Sequence, residues 1–336
     1  MSKSSLPAGW LDPFRLSGLP CGTPVVLGFS GGADSASVLD MLVKSGIRVT
    51  AVHVNHMIRG DEAERDALFC AKRAAELGVD FVLFRKDVPA LAASRGKGLE
   101  ETAREERYRC FAEVMKKTGS PLLVTAHNAD DNAETVLFNI TRGCAAKGAC
   151  GIPPVRPFPD GNGLIVRPAL GISKSELLSY CEENGITFVT DSTNTDTSYS
   201  RNRIRREIIP VLKTINPGLL SSVSAFTDSI RTDCEYLDSL ARDFAVAHPA
   251  LYASELSSLP APIAARVITL SARKAGAAPE KRHIDAVLSA VTEGRRIAVT
   301  LPGSIIARIG KAGLISFEYD DRTPKKHKST EKDTSN

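Results

Sequence analysis

Ser30-Gly31-Gly32-Ala33-Asp34-Ser35 follows a β-branched run and opens into an amphipathic stretch. Glycines let the backbone curl so that several N–H groups converge, and a nest of that kind at a helix start favours an anion. The two hydroxyls add donors. Asp34 would repel a phosphate unless a cation lay between them, which points to Mg²⁺. The loop has neither the lysine of a GxxxxGKS/T site nor the spacing of GxGxxG; a ligand-free turn is the plain alternative. Four further stretches carry chemistry. His53-Val54-Asn55-His56 is either a strand end with hydrogen-bonding side chains or part of a metal site that needs more ligands. Arg104, Arg107 and Tyr108 lie near one helix face, where ion pairs with the neighbouring glutamates are the alternative. In Thr125-Ala126-His127-Asn128-Ala129-Asp130-Asp131-Asn132-Ala133-Glu134, the three-residue spacing puts Asp131 and Glu134 on one face. Such a pair suits a cationic substrate, while Asp130 is explained by helix N-capping. Between 196 and 213, five basic residues (Arg201, Arg203, Arg205, Arg206, Lys213) stand against two acids (Asp196, Glu207), a solvated face or a phosphate contact.

These residues need elements to hold them. Residues 24–29 read as a buried strand and 35–45 as a helix stopped by Gly46. IRVTAVHVNH, VDFVLFRKDV and SPLLVTAH read as further strands, separated by helices at 61–77 and 99–117, with another helix from 128. Alternation of this kind predicts an α/β fold: a Rossmann-like parallel sheet with helices on both faces and its ligand at the strand carboxyl ends. A Gly/Pro-rich stretch at 143–163 interrupts the pattern and is long for a structureless loop. LIVRPAL, a helix near 173–184 and ITFVTDSTN complete the domain. Apolar residues then recur every three or four positions over 217–246, one long helix with a buried face. Two more helices are expected over 260–292, then short strands or hairpins. The expected divisions are an N-terminal extension (1–23), a catalytic domain (24–215), a smaller mainly helical domain (216–319) and a disordered tail (320–336) without apolar residues.

A chain of 336 residues with 43% hydrophobic and 24% charged residues is long enough for two globular domains. It has no apolar run of membrane-spanning length, and its start lacks a signal-peptide core, so a cytoplasmic protein with no membrane partner is expected. Seven scattered cysteines without a CxxC pair argue for a reducing compartment. The net charge of +4 permits nucleic acid without demanding it.

The first loop resembles the SGGxDS signature of the PP-loop ATP pyrophosphatases, which split ATP between the α- and β-phosphates. Taken together and in order, the five stretches resemble the tRNA(Ile)-lysidine synthetase family, through HxNHxxR, ExARxxRY, TAHxxDDxxET and DSxNxDxxYxRNxIR. Family members carry RGSGxxGLxG where this chain has Arg142-Gly143-Cys144-Ala145-Ala146-Lys147-Gly148-Ala149-Cys150-Gly151. Long members have a further C-terminal domain, before which this chain is read as ending. The resemblance implies that ATP adenylates the wobble cytidine of an isoleucine tRNA with a CAU anticodon, and that free L-lysine displaces AMP. It implies ATP contacts from Ser30, Gly31, Gly32, Ala33, Asp34, Ser35, His53, Asn55 and His127, with Mg²⁺ on Asp34. It further implies catalytic roles for Asp34, Asp131, Glu134, Arg104 and Arg107, a lysine site at Asp131 and Glu134, tRNA contacts from Arg201, Arg203, Arg205 and Arg206, and a homodimer. Three rivals are a 2-thiocytidine-type sulfur transferase, for which CxxC is missing, a tRNA-binding protein with a relic nucleotide site, and a GMP-synthetase-like amidotransferase.

Overall fold

The computed structural model describes residues 6–20, 22–190 and 200–320. Residues 191–199, which carry the DSxNxDxxY part of the last motif, and the tail from 321 therefore lie outside the described residues. The chain divides into two compact units, one up to Ile230 and one from Arg231.

The first unit is built on six strands: β1 (Val25–Gly28), β2 (Val49–Asn55), β3 (Asp80–Arg85), β4 (Leu122–Val124), β5 (Val155–Pro157) and β6 (Leu164–Val166). Their spatial order is β3-β2-β1-β4-β6-β5. All pairings are parallel except β5 with β6. Alternate residues of β1 feed two cores. Val25 and Leu27 pack with Leu39, Val124 and Leu177 on one face. Val26 packs with Val52, Phe111, Leu123 and Ile165 on the other. Burial on both faces is why these strands read as continuous apolar runs rather than alternating ones. Each fully buried Leu among them contributes about 1.5–3 kcal/mol.

The Gly/Pro-rich stretch contains more than a loop. It holds a helical turn (Ala146–Ala149) and the edge strand β5. Proline at the end of β5 suits an edge, where a missing N–H leaves no ladder bond unmade. At Gly163 (φ +117°) a Cβ would lie 2.5 Å from the Pro121 carbonyl oxygen, so the connection between β5 and β6 needs glycine.

Chain direction sets the place of the site. From β1 the chain winds outward through β2 to β3, then returns to the far side of β1 at β4. The crevice between the carboxyl ends of β1 and β4 is the switch point of the sheet, where α/β folds take ligands.

The helix Leu219–Ala247 runs from the first unit into the second. Its Leu219, Leu220 and Val223 pack around Ala133, Ile204 and Ile209, so its first turns belong with the first unit. The second unit contains helices Ala261–Lys274 and Lys281–Thr292. Its antiparallel sheet is formed by β7 (Leu251–Tyr252), β8 (Ile297–Leu301), β9 (Ile305–Ile309) and β10 (Leu314–Tyr319) in the order β7-β10-β9-β8. Leu256, Val267, Ile268, Val287 and Ala307 form its core. Among the described residues no helix is long and apolar enough to cross a membrane.

Candidate active site

β1 ends in the Ser30–Ser35 turn, and helix Ala33–Lys44 starts inside it. Gly31 has φ +85°, and a Cβ there would meet Cys70 Sγ at 2.9 Å. The Val189 N–H donates to the Gly31 carbonyl at 2.9 Å and braces the loop. Gly32 is the extended N-cap and no side chain caps the helix, so its first N–H groups are left to an outside acceptor. The hydroxyls of Ser30 and Ser35 lie 3.1 Å apart. Ser30, Asp34 and Ser35 line a cavity of about 550 Å³ that also takes in the end of β2, the helix Leu99–Thr118 and the segment after β4.

At the end of β2, His53 Nδ1 donates to the Phe29 carbonyl at 2.9 Å. Burial is the main reason its pKa is lowered. Asn55 Nδ2 donates to Glu64 Oε1, and its Oδ1 accepts from the Met57 N–H, both at 2.8 Å. Both residues line the cavity, but their side chains hold the strand end and its following turn, leaving backbone groups to face a ligand.

The opposite wall is cationic. Arg104, Arg107, Tyr108 and His127 line it. Arg104 lies 5.1 Å from the Tyr108 ring centre, and Arg156 Nη2 donates to the Tyr108 hydroxyl at 3.0 Å. Arg167 is buried; its Nη1 donates to the Pro153 carbonyl at 2.6 Å, and its Nε has no hydrogen-bond partner. The neighbouring glutamate Glu106 turns away to Arg95 (2.8 Å) and Arg109 (2.9 Å). Among the described residues no carboxylate is within ion-pair range of Arg104, Arg107, Arg156 or Arg167. Burial, then Arg167, Arg107, Arg104 and Arg156, push the His127 pKa down to about 3, so this imidazole is neutral at neutral pH.

Asn128 and Asp131 form a capping box at the start of helix Ala129–Thr141. Asn128 Oδ1 accepts from the Asp131 N–H at 2.9 Å, and Asp131 Oδ2 accepts from the Asn128 N–H at 3.1 Å. The other oxygen, Oδ1, is 2.8 Å from Arg205 Nη2, which lies equally close to Glu134 Oε2. The spacing argument thus brings Asp131 and Glu134 onto one cation, and burial raises the pKa of both. Asp34 pairs with Lys174 Nζ at 2.7 Å. Asp130 does not cap its own helix, where Asn128 is the N-cap; it accepts from the Lys174 N–H at 2.7 Å and pairs with Lys213 Nζ at 2.8 Å, a structural role.

Arg201, Arg203 and Arg205 make different contacts. Arg201 lies over the Phe138 ring at 5.0 Å, Arg203 pairs with Glu207 at 3.3 Å, and Arg205 turns into the site. Lys174, Arg156 and Arg167 escaped sequence reasoning. Each is a single basic residue in an otherwise ordinary stretch, and only the fold brings it to the site. Among the described residues no cluster of three or more His, Cys, Asp or Glu forms a metal cage. Asp34 alone fits an ion such as Mg²⁺, which usually takes one or two carboxylates and completes its shell with substrate phosphate and water. The lysine ammonium already against it shows that the position suits a cation.

Residues 21–212 match the family described as a PP-loop domain. The chain is 36% identical over 226 residues to the tRNA(Ile)-lysidine synthase of Geobacillus kaustophilus, covering 66% of this chain and 48% of that protein. It is 38% identical over 215 residues to the same-named protein of Parabacteroides distasonis, covering 64% and 47%. The chain thus spans about half the length of the curated relatives it matches. Its fold is similar to that of a U34-tRNA thiolase from Methanococcus maripaludis, with a TM-score of 0.52 at 20% identity over 66% of this chain and 77% of that one.

Proposed function

The chain belongs to the PP-loop domain family, and from that premise we propose that it is an ATP-dependent tRNA(Ile)-lysidine synthase. The observation that carries this reading is the carboxylate pair Asp131 and Glu134, already closed on a guanidinium, with Asp131 lining the same cavity as the Ser30–Ser35 loop. A nucleotide-binding loop alone suits many reactions. A buried carboxylate pair beside it selects a cationic second substrate.

In this reading the Gly31–Gly32 backbone and the Ser30 and Ser35 hydroxyls hold the pyrophosphate portion of ATP. Asp34, released from Lys174, would hold Mg²⁺, which offsets phosphate charge when bound. Backbone groups at the end of β2 line the adenosine. The cytidine O2 attacks the α-phosphorus and pyrophosphate leaves. Lysine, its α-ammonium on Asp131 and Glu134, then attacks C2 through its ε-amine, a proton is lost and AMP leaves. Free ε-amine has a pKa of about 10.4, so roughly one molecule in a few thousand is deprotonated at neutral pH, a deficit of about 4–5 kcal/mol. Desolvation within the cavity or a carboxylate base has to make this up. Asp34 and Glu134 are the candidates. Arg104 and Arg107 offset phosphate charge on the facing wall. The wobble base must leave its stack so that its O2 and C2 can enter the site.

The direct test supplies ATP, Mg²⁺, labelled lysine and tRNA(Ile) with a CAU anticodon. Label entering RNA, and lost when the wobble C is changed to U, is the expected result. AMP formation without label would keep adenylation and discard lysine as the nucleophile. Neither signal from folded protein would reject the enzyme.

A further inference from the structure

The cation on the carboxylate pair belongs to the protein itself. Arg205 Nη2 lies 2.8 Å from both Asp131 and Glu134, in the place that the reading above gives to the lysine ammonium. Both positions cannot be filled at once. Only 24% of the Asp131 side chain and 10% of that of Glu134 are exposed, so removing the guanidinium without replacing it would leave two carboxylates partly desolvated and facing each other. Replacing it by an ammonium keeps the local charge. Arg205 itself is different: 45% of its side chain is exposed, and it sits in the π-helical turn Ile204–Ile208, two residues from Arg203 and beside Arg206. An ion pair made by a side chain so open to water is readily exchanged. A phosphate offers the guanidinium a bidentate partner in return.

We infer that Arg205 is a tethered competitor for the amine subsite, and that an RNA phosphate draws it away, so that lysine binds well only after RNA has docked. This rests on the reading of Asp131 and Glu134 as the amine site and goes beyond it by coupling the two substrates. The functional consequence is order. Free lysine is held off an enzyme that has no base to modify, and adenylated RNA meets a site newly opened to the amine. Coupling between binding events is reciprocal, so lysine must tighten RNA binding by the same factor.

The test is equilibrium dialysis of labelled L-lysine against the full chain, without ATP so that no turnover occurs, with and without saturating tRNA(Ile) transcript. For the unaltered protein, tRNA is expected to tighten lysine binding about tenfold or more. Arg205→Ala is expected to bind lysine tightly without tRNA and to gain less than about twofold from it. Arg205→Lys, which keeps the charge, should restore part of the dependence. Saturating lysine should tighten tRNA binding in the unaltered protein and not in Arg205→Ala. Lysine affinity that ignores tRNA in the unaltered protein would overturn the inference, and so would weaker lysine binding by Arg205→Ala, which would make Arg205 a lysine ligand instead. Lysine binding to neither protein in any state would remove the amine site itself, and the coupling with it.

Discussion

His127 shows how far one residue's chemistry depends on its surroundings. Its Nδ1 lies 3.0 Å from the Thr125 hydroxyl, and four guanidinium groups act on its ring. An unfolded histidine takes up a proton near pH 6.5, whereas this one resists until about pH 3. Between those values the unfolded chain binds the extra proton, so stability falls as pH drops through that window. His56, depressed to about 4 by burial and then Arg107, adds to the same trend. Urea midpoints measured at pH 7 and pH 4.5 should therefore differ less in His127→Gln than in the unaltered protein. Equal pH sensitivity in the two would show that the histidine is not held neutral. Asp131 carries a different constraint: one oxygen caps a helix and the other meets the cation, so its amide variant disturbs both at once.

At the scale of elements, the turn between β1 and its helix is specified by backbone geometry. Gly31→Ala places a Cβ at φ +85° and within 2.9 Å of a sulfur. It should cost about 1–3 kcal/mol of stability in denaturant titration and abolish ATP binding by moving the N–H groups. Retention of normal ATP affinity would mean the loop does not form the phosphate site. This turn was legible in the sequence because glycine, serine and aspartate at fixed spacing leave few alternatives. So were the buried strands, whose β-branched runs end in turn residues, and the long helix with its three-and-four spacing. The edge strand β5 was not legible. Val155-Arg156-Pro157 is short, holds a proline and pairs antiparallel, so it lacks the apolar run that marked the others. Nor were the ion pairs. Lys174 meets Asp34 across 140 positions and Arg205 meets Asp131 across 74, separations at which local patterns carry no information. Sequence reasoning found the carboxylates but placed Arg205 with its basic neighbours, because charge in a row looks like one surface until the chain folds.

For the whole molecule, ligand and stability are linked. Arg104 and Arg107 line the cavity, no described carboxylate is within ion-pair range of them, and the helix start lining the same cavity has no side-chain cap. An anion that binds there stabilises the folded form, by about 2.7 kcal/mol at a hundred times its dissociation constant. ATP with Mg²⁺ should then raise the melting temperature by about 4 °C or more, read by calorimetry. An unchanged melting temperature at saturating ATP would show that the folded chain does not bind the nucleotide. The uncompensated arginine wall has a consequence for the protein's life in a cell. Proteases and quality control act on opened chains, so abundance follows the opened fraction. A fold that gathers like charges around its ligand site opens most readily when idle. On the ATP-binding reading proposed above, a shortage of nucleotide would leave more of this protein opened and so exposed to turnover.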